Sequence, residues 1–347
     1  MKKYHKNMEI FIWCCELSLN SGEGKLALTY IQDIKKNLNK RIILRTPELF
    51  IKKFNINNFI NNNSKYRAQL NNFKYLTPFI GIFFCWLYFF KKKQCCFINY
   101  LPLWNSFLFL FLPPRTILGP ITGGALYQKH LNINYILRNY IFKFLYKISL
   151  LIIFLRHKKI IFATSLLKNE ISSSKLSKCY FDYIYRLLKD YPLKPKNIDI
   201  LLYNRKHPNK IFKNKKIVEF FLRKNMKIHV IGAHLCIKKI HNHGYITNKE
   251  ANSLLSRSKF TINSQENFYT LFLIEALSNK VKILTDRSYE NFINKKNDKI
   301  FINLNKKNIK NIIFKNNTKN KDFKILYSNL KEKSITDNEL RNYFVFS

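Results

Sequence analysis

Ten short apolar runs constrain this chain more than any other feature. The first five are "EIFIWC", "RIILR", "QCCFIN", "TILGP" and "KIIFATS". The second five are "IDILLYN", "KIHVIG", "KFTIN", "KILTD" and "KIFIN". Most are nearly continuous in their apolar character. That is the pattern of a strand covered on both faces, as in a parallel sheet packed between helices. Parallel neighbours need long crossover connections, and stretches long enough for helices separate most of the runs. Two series predict an α/β chain with two Rossmann-like doubly wound domains facing across a cleft.

The boundary falls in "KDYPLKPKNID", which is polar and holds two prolines. Residues 1–190 form the expected acceptor-side domain, and 197–325 a nucleotide-binding domain. Residues 326–347 read as a helical segment that packs back on the first domain. Positions 306–324 are a Lys/Asn-rich, loop-like tract.

With 347 residues and 47% hydrophobic content, the chain can bury a sizeable core. It carries 62 Lys plus Arg against 20 Asp plus Glu, a formal net charge of +42. Part of that charge reflects a composition rich in Lys, Asn and Ile. The rest favours anionic partners such as nucleotide phosphates or an acidic lipid surface. The seven cysteines show no CxxC spacing. They read as buried thiols in a reducing compartment, not as a zinc site or a disulfide framework.

The N-terminal run "EIFIWCC" is too short for a signal peptide and reads as a strand. Residues 76–90, "LTPFIGIFFCWLYFF", fall short of the ~20 residues a membrane span needs. They read as a buried helix, with insertion into a membrane surface as the second reading, because "KKK" follows.

Only eight glycines occur, and seven sit at expected strand ends. Gly22 and Gly24 follow the first strand in "SGEGKLAL", and Gly123 and Gly124 lie in "ILGPITGG". These four are candidate cleft loops, since ligands of open α/β sheets bind beyond the carboxyl ends of strands. "HNH", at His241 to His243, reads as a loop and not as a metal site.

Three pieces of the second half, in order, complete the pattern. They are "YNRKHPNK", "HNHGYITNKEANSLLSRSKF" and "SQENFYTLFLIEALSNKVKILTD". Together with "ILGPITGG" they resemble the GT-B glycosyltransferases of family 4 (glycosyl transferases group 1). The resemblance implies Arg205 and Lys210, with Thr270 at a helix N-terminus, for a donor diphosphate. It implies Glu275 for the ribose, and backbone groups of Tyr245 and Ile246 for the base. Glu266, Asn267, Phe268 and Tyr269 would face the donor sugar or phosphate. Glu266 and Glu275 are nine residues apart, where the family spacing is eight. Either Glu266 or Asn267 therefore takes the position of the first acid. The family's glycines there are replaced by Phe268, Tyr269 and Thr270.

The chemistry agrees with these roles. A diphosphate wants fixed cations, Arg as a fork and Lys as a point charge, and vicinal ribose hydroxyls want a carboxylate acceptor. The resemblance implies a hexosyltransferase-like enzyme with no metal and no cofactor beyond the nucleotide-sugar substrate. The first half offers no evident catalytic acid or histidine: Asn99 and Tyr100 follow "CCFI". Aromatic and basic clusters around "FFCWLYFFKKK" and "WNSFLFLFLPPR" favour a lipid-linked or cell-surface glycan acceptor, with the protein cytoplasmic and peripheral on the inner face of the plasma membrane. No specific nucleic-acid partner is expected, because no recognition motif or RNP-like strand is present. The alternatives are an inactive protein of the same fold, or a basic nucleic-acid- or membrane-binding protein.

Overall fold

A computed structural model describes residues 9–17, 21–38, 40–47, 77–99, 101–123, 140–204, 214–262, 269–285, 299–303 and 320–346. The chain divides into two compact units. One comprises residues 1–124, 129–186 and 332–347, the other 125–128 and 187–331.

In the first unit, β1 (Glu9–Cys14), β2 (Arg41–Arg45), β3 (Gln94–Ile98) and β4 (Ile117–Leu118) form a parallel sheet in the order β2-β1-β3-β4. A parallel bridge from Ile121 to Phe162 leads on to β5 (Ile160–Ile161), which pairs with β6 (Cys179–Tyr180). Ile10, Ile12 and Cys14 are as fully buried as Phe11 and Trp13, so β1 is covered on both faces. One cover is α1 (Gly22–Asn37), whose Tyr30 hydroxyl donates to the Leu118 carbonyl at 2.8 Å. The other is α2 (Thr77–Phe90): Tyr88 stacks on Phe11 at 4.0 Å and Phe84 on Trp13 at 5.7 Å between centroids. Against α2 lie α3 (Ser106–Phe111) and α4 (Phe142–Arg156). The Trp86 indole donates to the Phe111 carbonyl at 2.7 Å, and the Arg156 guanidinium gathers the carbonyls of Phe109, Leu110 and Leu112. That guanidinium satisfies orphan acceptors at the C-terminal end of α3.

The second unit holds β7 (Ile198–Asn204), β8 (Ile228–Gly232), β9 (His241–Asn242), β10 (Ser258–Ile262), β11 (Lys282–Thr285) and β12 (Phe301–Asn303). All pairs are parallel, in the order β12-β11-β10-β7-β8-β9. Counted within the unit this is 6-5-4-1-2-3, the doubly wound order of dinucleotide-binding sheets. Its helices are α5 (Asn214–Leu222), α6 (Asn248–Ser256), α7 (Leu271–Ser278) and α8 (Asn320–Lys333). The final helix α9 (Asp337–Phe346) belongs to the first unit, where the Tyr343 hydroxyl donates to the Leu118 carbonyl at 2.7 Å.

All ten expected runs contribute strands, although "TILGP" and "KIIFATS" supply only two residues each. Three local readings change. "HNH" supplies an edge strand, because His241 and Asn242 pair with His229 and Val230. Helix begins at Asn320, within the tract read as loop. All seven cysteines are free and five are buried, but Cys236 is exposed.

Gly81 shows how tightly α2 is seated. A Cβ there would lie 2.3 Å from the Trp13 ring and 2.7 Å from Phe97. Trp13 is 1% exposed and cannot swing away. Alanine normally gains up to about 1 kcal/mol over glycine within a helix. Here overpacking wins. Gly81→Ala is expected to destabilise the protein by about 1–3 kcal/mol, measured by urea unfolding; a neutral or stabilising result would contradict the packing described.

Candidate functional site

In an open parallel sheet the ligand crevice lies where the strand order reverses, beyond the carboxyl ends. In the second unit that place is between β7 and β10. The Asn204 side-chain amide donates to the Ala233 carbonyl at 2.9 Å, and the Ala233 N–H donates to the Asn204 carbonyl at 2.7 Å. The Gly232 N–H donates to the Gly244 carbonyl at 2.7 Å. Gly232 has φ +91°, and a Cβ there would sit 2.3 Å from the Asn204 carbonyl oxygen. Only glycine fits, so the ends of β7 and β8 and the turn at Gly244 are pinned together.

Thr270 is the N-cap of α7 and accepts from the Leu273 N–H at 3.3 Å, with Tyr269 buried just before it. Glu275 is the fifth residue of the helix, in its second turn and not its first. Its carboxylate accepts from the Asn248 amide at 2.8 Å. Asn248 opens α6, where Thr247 and Glu250 form a capping box. The Asn248 carbonyl oxygen accepts in turn from Asn252 at 3.1 Å, and Asn252 from Asn279 at 3.0 Å. This relay of amides fixes which end of Asn248 faces Glu275: the acceptor is already taken, so the NH₂ group points at the carboxylate. Tyr245 and Ile246 stand immediately before this cap. The Tyr245 side chain is 79% exposed and Ile246 is half-buried. The structure thus links Glu275 to the loop expected to meet a base, through residues that the sequence reading passed over. Arg205, Lys210, Glu266, Asn267, Phe268 and Gly124 lie outside the described residues.

In the first unit the order reverses between β1 and β3. Asn99, just past β3, is 2% exposed and has φ +52°, a conformation asparagine tolerates better than most residues. Its carbonyl oxygen accepts from the N–H groups of Cys15 at 2.9 Å and Glu16 at 3.3 Å. Its amide donates to the carbonyls of Glu16 at 2.6 Å and Glu23 at 3.5 Å. One side chain therefore holds both the end of β1 and the start of α1. Gly22 and Gly24 are not an open loop: they form the first turn of α1, and the Gly24 N–H is occupied by the Ser21 hydroxyl at 2.9 Å. Between them stands Glu23. It bonds Thr122, beside Gly123, which has φ +131°. Its Oε2 is buried without a hydrogen-bond partner. Burial first, and then the nearby Glu16 carboxylate, push its pKa up to about 7 despite the Thr122 hydrogen bond.

Two solved structures align over nearly the whole chain. The lipopolysaccharide outer core galactosyltransferase WaaB in its apo form aligns at TM-score 0.51 and 9% identity, covering 97% of this chain and 98% of that one. TarM aligns at TM-score 0.50 and 12% identity, covering 98% and 96%. No protein-family model matches the sequence, and no curated protein does.

The chain has the GT-B fold.

Of the residues expected at a site, Tyr245, Ile246, Tyr269, Thr270 and Glu275 belong to the second unit of this GT-B chain, and Gly22, Gly24 and Gly123 to the first. Sequence reasoning missed Glu23, Asn99 and Asn248. For Glu23 the signal was present: it is the acid between two glycines of a chain poor in both.

On the edge of the second sheet, His229, His241 and His243 stack, with ring centroids 4.6 Å and 5.0 Å from His229. His229 Nδ1 lies 2.8 Å from His243 Nε2, a spacing that needs one ring to donate and the other to accept. Burial, the two other imidazoles, Lys227 and Arg257 lower the His229 pKa to about 4. The unfolded chain therefore takes up this proton first. The stabilisation is complete above pH ~6.5 and is lost as pH falls toward ~4. Unfolding at pH 7 and pH 5 should show a smaller loss in His229→Gln than in wild type; equal losses would show that His229 carries none of it.

Proposed function

We propose that the protein is a glycosyltransferase that moves a sugar from a nucleotide-sugar to an acceptor hydroxyl. The observation that carries this reading is the Glu275–Asn248 contact beside the 244–246 loop, at the carboxyl edge of a doubly wound sheet. A carboxylate held by an amide relay is a ready acceptor for two ribose hydroxyls, and the backbone of Tyr245 and Ile246 can address a base. Thr270 starts a helix whose N-terminal dipole favours phosphate. Arg205 and Lys210 would neutralise the leaving diphosphate, a task that other transferases give to a divalent cation. Glu266 or Asn267, with Phe268 and Tyr269, would meet the donor sugar.

Titration with a panel of nucleoside diphosphates tests the reading, with binding of at least one expected. Glu275→Gln, and Arg205→Ala with Lys210→Ala, should each remove charge-assisted contacts of about 1.5–3 kcal/mol, roughly 10- to 150-fold in Kd. Asn248→Ala should act in the same direction by loosening Glu275. Unchanged affinity in all three variants, or no binding by wild type, would remove the donor-site assignment.

A lipid-linked glycan acceptor on an anionic membrane surface fits the first unit. Phe79, Phe83 and Phe90 of α2, Phe107, Leu110 and Phe111 of α3, and Phe144, Leu151 and Leu155 of α4 are all at least half exposed. On α4 the exposed residues are Lys143, Phe144, Lys147, Leu151 and Leu155, so two cations stand among three apolar groups. Lys91 to Lys93 follow α2. No described helix is long and apolar enough to cross a membrane. The structural neighbour WaaB is a lipopolysaccharide outer core galactosyltransferase, which agrees with such an acceptor. Binding to phosphatidylglycerol vesicles should exceed binding to phosphatidylcholine vesicles and weaken with salt. Phe83→Ser with Leu155→Ser should reduce it severalfold; equal binding of the variant, or of both lipids, would defeat the surface-docking reading.

A further inference from the structure

We propose that the stacked imidazoles of His229, His241 and His243 form an acid-sensitive latch: on protonation they part, and β9 with the Gly244–Ile246 turn comes away from β8. The latch stands on the edge of the second sheet itself; only its consequence for a ligand rests on the glycosyltransferase reading above. β9 is a two-residue strand at the end of the sheet, with His241 opposite His229 and Asn242 opposite Val230. Beyond it, the His243 N–H donates to the Val230 carbonyl at 2.8 Å, and the Gly244 carbonyl accepts from Gly232. An edge held by so few bonds is the part of a sheet that opens first. The Asn242 side chain accepts from the Leu235 N–H at 3.0 Å and donates to the Leu235 carbonyl at 3.1 Å. The connection from Leu235 to Asn242 is therefore closed on itself and can lift together with β9. The chain then runs through the turn to Asn248, whose amide holds Glu275.

The geometry limits how many protons the rings can hold. His229 Nδ1 and His243 Nε2 share a single hydrogen between them. With both rings protonated, each of those nitrogens carries its own hydrogen and the bond becomes a clash. His229 has no second outlet, because its Nε2 is buried and finds no partner among the described residues. A hydrogen on that atom would be a buried donor with nothing to receive it. The surroundings add repulsion. Lys227 precedes β8, Arg257 is the C-cap of α6, and both act on the stack together with the imidazoles themselves. Asp199 of β7, the neighbouring strand, already accepts from the Lys227 N–H and from the Lys259 ammonium, each at 2.8 Å. Burial first, and then these charges, lower the pKa of both rings, that of His229 to about 4. When β9 lifts, the rings regain an ordinary pKa near ~6.5, so opening takes up protons. The latch is therefore closed above pH ~6.5 and released as pH falls toward ~4. Nearly parallel rings do not aim their nitrogens at a common ion, and no such group among the described residues could hold a metal.

Hydrogen exchange of individual amides in the full chain at about pH 7.5 and pH 5, corrected for intrinsic exchange, tests the latch. The His243 and Gly232 N–H groups should lose protection by roughly 30-fold or more, the effect of one imidazole whose pKa rises from about 4 to about 6.5 on opening. N–H groups of β10, inside the sheet, should lose far less. His229→Gln cannot take up that proton and should keep most of its protection at the lower pH. His243→Gln removes the bridging ring and should flatten the response as well, so the test does not depend on one variant folding. Equal loss at His243 and in β10, or the same loss in wild type and in the variants, overturns the inference. Binding of UDP, GDP and dTDP gives a second readout. Kd should rise between the two pH values in wild type and rise less in His229→Gln. Lifting of β9 with the same Kd response in both proteins overturns the link to the ligand. Lifting of β9 in a protein that binds no nucleoside diphosphate upholds the latch and overturns the glycosyltransferase reading.

Discussion

Parallel strands cannot be joined by tight turns, and every other feature of this chain follows from that constraint. Each strand must be followed by a crossover before its neighbour can form, so all carboxyl ends of a sheet emerge along one edge. Residues far apart in sequence then meet there without long loops. Asn99 reaches Glu16 and Glu23 because β1 and β3 are paired in register, with Cys14 opposite Ile98. Asn204 meets Ala233 for the same reason: β7 and β8 end together, with Asn204 opposite Gly232. Glycine is needed where these ends crowd. At Gly119 a Cβ would lie 3.0 Å from the Ile98 backbone, and at Gly232 the clash would be with a carbonyl oxygen.

The strands were legible because burial on both faces leaves a continuous apolar signature. "EIFIWC" and "IDILLYN" became β1 and β7 residue for residue. β6 and β9 were not legible, because two-residue strands at a sheet edge need little apolar character, and His241 and Asn242 have none. The break between α8 and α9 was hidden for a related reason. Ser334, Ile335 and Thr336 interrupt a run whose helical propensity is otherwise continuous, and only the Thr336–Glu339 capping pair marks the restart. At the sites, residue types that charge makes conspicuous were found and the neutral ones were not. Glu275 stood out in a basic chain, but the amides that orient it look like any other asparagines in a sequence full of them. Glu23 escaped because attention went to the glycines around it as a cleft loop. Those glycines instead give a helix start in which Ser21 already engages the N–H groups of Gly24 and Lys25.

Carboxylates are scarce here, and the structure uses several where a single negative charge has large leverage. Asp33 is nearly buried, yet it receives two bonds from the Arg186 guanidinium, at 2.7 and 2.8 Å, and one from the Tyr183 hydroxyl at 2.6 Å. Arg186 continues to Asp337 at 2.7 Å and to the Ile335 carbonyl at 3.2 Å. A bidentate pair with every guanidinium nitrogen engaged is the arrangement in which burying charge is least costly. Glu23 is the opposite case, a buried carboxylate left one partner short. In one protein unit, two acids have been given opposite degrees of satisfaction: Asp33 is fully engaged in holding helices, and Glu23 keeps one buried oxygen unmet.

The membership of α9 in the first unit has a temporal meaning. Tyr343 reaches the Leu118 carbonyl across 225 positions of sequence. The Arg186 cluster likewise waits for Ile335 and Asp337. On the ribosome, the sheet of the first unit emerges long before the helix that covers it. Residues 187–331 must be synthesised in between, a delay of roughly 7–30 s at about 5–20 residues per second. During that interval the Leu118 carbonyl and the face formed by Tyr30 lack their final partner. The second unit, whose chain is nearly continuous, can complete its core first. The half that begins the chain is therefore the half that finishes folding last, and its exposure to chaperones and proteases is set by the length of the other.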